Sequence, residues 1–369
     1  MESAPFWMWI VGFLLVLGPL VTIHEFGHYL VARWFGVKAD VFSIGFGREL
    51  TGWTDRRGTR WRLSALPLGG YVQFAGDMNP ASQPSEEWLA LPEEERRKTF
   101  QAKPLWQRAL IVAAGPLTNL LFAVLVFAAF NLAIGKPDAA PVIGGFAPQS
   151  AARDAGMQVG DRIVSMDGDR ISDFFDVQER TLMHPGKKVV VLVDRAGENV
   201  SIPVTIGDIA MKDELGNSQR VGMLGIAAKR QFVAVGPVDA VGLAVRQTRM
   251  IVSTMVTGLG QIITGQRSVQ ELGGPIKIAQ YSGESLSQGP LSFVSFVAMI
   301  SINLAFINLL PIPALDGGHL AFYAAEAVRR KPVGPRSQEW AFRTGVAFVL
   351  ALMLFVTIND IASLLIIGS

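Results

Sequence analysis

Two histidines and a glutamate lie together near the start of the chain, in the run His24-Glu25-Phe26-Gly27-His28. On an α-helix, residues four apart share one face, so the imidazoles of His24 and His28 could bind one metal ion. Glu25 is rotated by about 100° from His24 and could act on a water molecule as a general base without being a ligand. Because zinc activates water in this H-E-x-x-H arrangement, the pattern predicts metal-dependent hydrolysis with Zn²⁺ as cofactor.

The third metal ligand is expected elsewhere in the chain. A catalytic zinc usually has three protein ligands, and the chain has no cysteine, so a carboxylate or an imidazole is required. The run from Asn308 to His319, N-L-L-P-I-P-A-L-D-G-G-H, offers Asp316 as its single acid and His319 as a rival ligand. We interpret His319 as a structural or interfacial residue and His184 as a surface residue. Two prolines in this run break the helix and free backbone groups that need partners.

The composition predicts a membrane protein. Half of the 369 residues are hydrophobic and only 17% are charged, which is too apolar for a soluble enzyme of this size. A helix of about 20 apolar residues crosses a bilayer core, and four stretches qualify: about 6–34, 109–134, 293–310 and 342–367. Ionisable groups in the first of them are costly unless they serve a buried site, which favours the metal hypothesis. The net charge of +2 is too small to indicate a nucleic-acid partner.

Basic residues predict the orientation of these spans. The loop between spans one and two and the short loop between spans three and four both hold clusters of Lys and Arg, whereas residues 1–5 hold none, so both loops should be cytoplasmic. Both termini and the segment between spans two and three should then lie outside the cytoplasm.

The segment between spans two and three predicts a small α/β domain, because short β-rich runs alternate with turn signals. The run from Ser150 to Gly168 resembles the helix-then-strand signature of PDZ domains, and Val221-Gly-Met-Leu-Gly-Ile226 resembles their loop for peptide ends. Such a domain could bind an extended peptide or substrate ectodomain at a sheet edge, or it could be only a spacer or size filter.

The predicted fold is an α-helical polytopic membrane protein with four transmembrane helices, a membrane-associated β-hairpin region and an inserted PDZ-like α/β domain. Residues 36–104 hold the cytoplasmic-side β region and a loop, and residues 231–290 hold interfacial amphipathic helices. The predicted segments are 1–35 (span one), 36–104, 105–136 (span two), 137–230 (PDZ-like), 231–290, 291–320 (span three with L-D-G) and 321–369 (cytoplasmic loop and span four).

The H-E-x-x-H run and the N-x-x-P-x-P-x-L-D-G run together resemble the site-2 protease family of intramembrane zinc metalloproteases. The resemblance covers nearly the whole chain, including Ala114–Asn119, which matches the family element G-P-x-x-N. The inserted domain makes the chain similar to the bacterial RseP type, although there is room for a single PDZ domain where the best-known members carry two.

This resemblance implies roles for the residues that match its motifs. His24, His28 and Asp316 would be the zinc ligands and Glu25 the base. Asn308 would hold the unwound substrate strand, and the hairpin at Gly45 and Phe46 would pair with that strand.

The resemblance also implies a setting in the cell. Substrates would be single-span membrane proteins, such as anti-sigma factors and signal-peptide remnants, cut in regulated intramembrane proteolysis. The enzyme would lie in the lipid bilayer of the bacterial inner membrane, with its active site near the cytoplasmic face. Two alternatives stay open: a non-enzymatic membrane scaffold with a peptide-binding PDZ domain, and a metal transporter. The intact ligand and base set disfavours the scaffold, and the lack of an ionisable pathway across the bilayer disfavours the transporter.

Overall fold

The computed structural model describes residues 4–76, 92–137, 140–212, 218–228, 232–269, 273–331 and 334–367. The elements in chain order are α1 (Phe6–Trp34), β1 (Ala39–Thr54), β2 (Arg60–Phe74), α2 (Glu93–Arg96), α3 (Leu105–Ile134), β3 (Lys136–Pro137), β4 (Ile143–Phe146), α4 (Ala151–Asp154), β5 (Arg162–Met166), β6 (Asp169–Arg170), α5 (Phe174–Leu182), β7 (Lys188–Arg195), β8 (Glu198–Thr205), β9 (Gly207–Lys212), β10 (Ser218–Met223), β11 (Ile226–Ala228), β12 (Phe232–Val233), α6 (Pro237–Ile263), α7 (Pro275–Ser287), α8 (Pro290–Leu309), α9 (Asp316–Arg329) and α10 (Pro335–Ile367).

Four helices in the described part of the chain, α1, α3, α8 and α10, are long and apolar enough to cross a membrane. Large apolar side chains such as Phe6, Leu121 and Leu354 are exposed along them, as expected where lipid rather than water surrounds a helix. The number of spans agrees with the sequence prediction, and the chain is a multi-pass membrane protein.

The segment expected as 291–320 contains two helices in the structure. Helix α8 ends at Leu309, and α9 begins at Asp316, so the L-D-G run opens a new helix instead of closing the third span. The expected boundary between residues 230 and 231 lies outside the described residues.

The chain forms two compact units, residues 1–126 with 273–358 and residues 127–272 with 359–369. In the first unit, α1 packs closely on α7. A Cβ built on Gly12 would lie 2.7 Å from the carbonyl carbon of Ser282, and one built on Gly283 would lie 2.7 Å from the Trp9 ring. Helices surrounded by lipid gain much of their association energy from such close backbone approach, because burial of apolar side chains supplies little there.

The first unit also contains a sheet formed by β1 and β2. Residues 41–44 of β1 lie between two parts of β2, pairing with residues 60–63 on one side and with residues 70–73 on the other. The second half of β1 pairs with the first part of β2. Buried Phe42 and Phe74 pack with Tyr29 of α1 and Ile111 of α3, so the sheet is held against the two helices that carry the site described below.

The second unit contains the inserted domain. Its four-stranded sheet has the order β6-β5-β7-β8, with β9–β10, β4–β11 and β3–β12 as further antiparallel pairs. Alternate residues of β7, Val189, Val191 and Val193, are buried in the core, which is the period-two pattern of a strand with one face inward. Ser150 caps α4 and Asp173 caps α5. The unit is therefore a folded α/β domain with a core of its own.

Candidate functional site

The structure brings together the three residues expected to bind metal. His24 Nε2 and Asp316 Oδ2 are 3.1 Å apart, His28 Nε2 and Asp316 Oδ2 are 3.6 Å apart, and the two Nε2 atoms are 3.2 Å apart. Both histidines are more than 90% buried. Within the residues that the structure describes, these three form the one His/Cys/Asp/Glu cluster close enough to hold a metal ion.

The donor atoms fit zinc. With zinc–ligand bonds of about 2.0–2.1 Å in a tetrahedron, two ligand atoms are separated by about 3.3 Å, close to all three distances observed. Asp316 Oδ2 is buried and accepts no hydrogen bond from any residue described here, although two imidazole nitrogens are near it. The three lone pairs therefore converge on a common point, which suits a cation and leaves a carboxylate oxygen unsatisfied without one.

Asp316 reaches this point through a tight turn between α8 and α9. Pro311 and Pro313 interrupt the helix, and Ala314 adopts a left-handed conformation with φ of +85°. A Cβ on Gly317 or on Gly318 would overlap backbone carbonyl oxygens of residues 309–312. The turn thus requires glycine at both positions, and it places Asp316 in the first turn of α9, where the helix dipole favours a negative charge.

Helices α1 and α3 approach very closely beside the cluster. A Cβ on Gly115 of α3 would overlap Nε2 of His28 and lie 2.9 Å from Cε1 of His24, and a Cβ on Gly27 of α1 would overlap the hydroxyl of Thr118. Gly115 therefore leaves room for the two imidazoles, and Gly27 allows the backbones of the two helices to approach each other. The sequence prediction included Gly115 in a family element but gave it no role; its signal was a glycine inside a long helical pattern.

The remaining ring nitrogens also have partners. His28 Nδ1 lies 2.9 Å from the carbonyl oxygen of Ile111, and His24 Nδ1 lies 3.3 Å from Nδ2 of Asn119. Asn119 is fully buried in α3, and sequence reasoning gave it no part in the site.

Glu25 lies next to the cluster and contacts the edge of the sheet. The backbone N–H of Val72 donates a hydrogen bond of 3.2 Å to Glu25 Oε2. Among the described residues, 70–73 pair with β1 along one edge and with no strand along the other, and Val72 presents this amide from that second edge. The sheet edge and the candidate base are thus in direct contact, a relation that the sequence pattern did not reveal.

A cavity of about 350 Å³ connects these groups. It is lined by the cluster and Glu25, by Asn308 near the end of α8, by His319 of α9, and by Val72 and Phe74 of β2. This volume is in the range of small ligand sites, and it would admit a short extended stretch of peptide.

Gly45 and Phe46, the predicted hairpin residues, lie outside this lining. Gly45 has a φ of +91°, and a Cβ there would lie 2.7 Å from the carbonyl oxygen of Leu66. Phe46 is half-exposed and stacks on Tyr71, with ring centroids 5.9 Å apart. His319 lines the cavity without joining the metal cluster, and His184 lies in the second unit, after α5.

Metal-assisted hydrolysis is the chemistry that two imidazoles, a carboxylate and a neighbouring glutamate support. Because both imidazoles and the glutamate come from α1, which is long and apolar enough to span a membrane, and the carboxylate comes from the helix that follows α8, the site belongs to the class of metallohydrolases that act within a bilayer.

Comparison with known proteins identifies the family. The sequence profile described as "Peptidase family M50" matches residues 12–352. The chain is 42% identical over 363 residues to "Putative zinc metalloprotease Atu1380" of Agrobacterium fabrum, covering 97% of this chain and 96% of that protein. It is 36% identical over 381 residues to "Metalloprotease MmpA" of Caulobacter vibrioides, covering 96% of each. The chain belongs to peptidase family M50, the site-2 protease family, and is a zinc-dependent intramembrane metalloprotease.

Proposed function

We propose that His24, His28 and Asp316 bind the catalytic zinc and that Glu25 is the general base. The observation that carries this proposal is the convergence of three buried ligand atoms at 3.1, 3.2 and 3.6 Å from one another. When bound, zinc supplies the Lewis acidity that activates water and polarises the scissile carbonyl. The carboxylate of Glu25 takes a proton from the attacking water and then delivers it to the leaving amine.

The substrate is a membrane protein, and we propose that it is a single-span protein bound as an extended strand. A peptide bond inside a helix is already hydrogen-bonded and shielded, so the helix must unwind before hydrolysis, and its freed backbone groups then need partners. The open edge at Val72 and Phe74 lines the cavity and supports this strand pairing. Asn308, which also lines the cavity, would hold the unwound strand.

Gly45 and Phe46 would act from the neighbouring part of the sheet. Ile44 pairs with Gly70, so a substrate strand at the outer edge of residues 70–74 would be separated from the Gly45 turn by one strand. Phe46, half-exposed and stacked on Tyr71, could contact substrate side chains above the sheet. The resemblance implied that this hairpin pairs with the substrate strand; we propose instead that residues 70–74 make the main-chain pairing and that the hairpin contacts substrate side chains.

The cellular setting is also part of the proposal. The distribution of Lys and Arg supports a bacterial inner-membrane orientation in which the inserted domain and both termini are extracytoplasmic and the site is near the cytoplasmic face. Substrates would include anti-sigma factors and signal-peptide remnants cut in regulated intramembrane proteolysis. The inserted domain, which we propose is PDZ-like, would inspect substrate ectodomains or peptide ends. Its own hydrophobic core supports a domain that folds as a unit and presents a binding surface of its own.

The test compares wild type with Glu25→Gln, using purified protein and a panel of single-span test substrates. The amide oxygen of glutamine can still accept the Val72 hydrogen bond, but the side chain cannot take a proton. We expect wild type to cleave and Glu25→Gln to lose activity while retaining zinc. Glu49→Gln is the matched control, because Glu49 is a partly exposed glutamate of the same unit that pairs with Arg60. Undiminished cleavage by a zinc-loaded Glu25→Gln enzyme would refute the assignment of the base.

A further inference from the structure

Nδ1 of His24 lies beside the side chain of Asn119, a residue of the G-P-x-x-N element to which the sequence assigned no role. A histidine that binds a metal through Nε2 carries its proton on Nδ1, and that N–H needs an acceptor when the ring is buried. For His28 the acceptor is the backbone carbonyl of Ile111, 2.9 Å from Nδ1. A backbone carbonyl is present whatever residue occupies position 111, so the acceptor for Nδ1 of His28 does not depend on the side chain at that position.

His24 has no such backbone acceptor in the described structure, and its Nδ1 faces Asn119 instead. The amide nitrogen of Asn119 is 3.3 Å from Nδ1, while the amide oxygen is buried and has no partner among the described residues. If Nδ1 carries the proton, as zinc binding through Nε2 requires, two donors would face each other. A rotation of the amide by 180° removes this conflict, because the unpartnered oxygen then accepts from Nδ1–H.

The backbone holds Asn119 in position for this contact. Asn119 lies one helical turn beyond Gly115, so the two residues share the face of α3 that meets α1. Ser301 of α8 donates a hydrogen bond of 2.9 Å to the backbone carbonyl of Asn119, which ties two spans together at this level. An asparagine with no exposed surface inside an apolar span is costly unless its amide is used.

We propose that Asn119 is a positioning residue whose amide oxygen accepts the Nδ1 proton of His24 and so presents Nε2 to the zinc. The proposal rests on the proposed ligand role of His24. It assigns Asn119 no contact with the substrate or with the reacting atoms. The alternative is that Asn119 serves only to hold the helices together.

The test measures zinc affinity of the full-length protein by chelator competition, independently of proteolysis. Asn119→Leu keeps the size of the side chain but removes the acceptor, and we expect zinc affinity to fall about 10- to 100-fold, as for other residues that orient metal ligands. Asn119→Asp restores an acceptor and should bind zinc within a few-fold of wild type. Asn131→Leu is the matched control, because Asn131 lies on the same helix and donates to the carbonyl of Ala240; its zinc affinity should be unchanged.

A spectroscopic readout separates positioning from packing. In protein labelled with ¹⁵N-histidine, the Nδ1 signal of His24 should be that of a protonated nitrogen in wild type and Asn119→Asp, and should change in Asn119→Leu. Zinc affinity equal to wild type in Asn119→Leu, or equal losses in the Leu and Asp variants, would overturn the proposal. His24→Ala distinguishes failure of the ligand assignment from failure of the role proposed for Asn119. Unchanged zinc affinity in His24→Ala refutes the assignment of His24 as a ligand. Loss of zinc affinity in His24→Ala together with full affinity in Asn119→Leu refutes only the role of Asn119.

Discussion

One methyl group at Gly115 should be enough to disable the site. In Gly115→Ala the new Cβ would overlap Nε2 of His28 and lie 2.9 Å from Cε1 of His24. Neither ring can simply rotate away, because both are buried and their Nδ1 atoms are held by Ile111 and Asn119. Helices α1 and α3 must therefore separate, or the ligand atoms must leave their common point.

The magnitude follows from the cost of overpacking. Adding a carbon to a closely packed interior costs about 1–3 kcal/mol. If the protein relieves this strain by displacing a zinc ligand, the same free energy is lost from zinc binding. At about 1.4 kcal/mol for each factor of ten, zinc affinity should fall about 5- to 150-fold. Alanine is also the better helix former by about 0.5–1 kcal/mol, so a loss of affinity cannot come from weaker helix propensity.

The assay is zinc affinity by chelator competition, followed by cleavage of a single-span substrate at saturating zinc. Gly242→Ala is the control, since Gly242 lies in α6 and a Cβ there would meet nothing within 4 Å. Gly27→Ala adds a graded comparison, because the atoms nearest to its Cβ belong to Thr118 and Ala114 of the neighbouring helix and not to a ligand ring; its zinc affinity should fall less. If Gly115→Ala binds zinc as tightly as wild type, the proposed packing of the ligands against α3 is wrong.

Three further predictions concern other parts of the molecule. Asp161 of the inserted domain is buried, and its hydrogen bonds from Arg195 hold the pKa of its carboxyl below the ordinary value. The contribution of Asp161 to the stability of the domain should therefore be complete above about pH 4 and should be lost as the pH falls through the lowered pKa. Asp161→Asn should destabilise the domain by about 2–3 kcal/mol at neutral pH and should remove this acid dependence. Hydrogen exchange within the domain measures both effects. Ala314 has a φ of +85°, so Ala314→Gly should raise stability by about 1 kcal/mol and Ala314→Val should lower it, as measured by thermal unfolding; the same shift in both variants would contradict the strain argument. Substrates with a Gly or Pro beside the scissile bond should be cleaved faster than substrates with Ala or Leu there, because their spans unwind more readily; equal rates in a kinetic comparison would count against strand pairing.

The local chemistry of the site was readable from the sequence because it depends on short-range geometry. The spacing of His24 and His28 is one helical turn, and the apolar length of each span is a property of consecutive residues. Asp316 could be named as a candidate because it is the single acid beside two prolines that break a helix. The sequence alone therefore determined the class of chemistry and the number of spans.

The tertiary structure decided which distant groups meet these residues. Asn119 is 95 residues from His24 and Val72 is 47 residues from Glu25, and no periodic pattern relates such positions. The close approach of α1 and α3 requires residues without a side chain at Gly27 and Gly115. In the sequence each of these positions is simply one glycine within a long apolar helix, and nothing there indicates which helix it contacts. Likewise, the open edge of a sheet depends on how β1 and β2 pair. Motif spacing can identify the proposed ligands and base, whereas the groups that contact them are determined by packing between elements far apart in the chain.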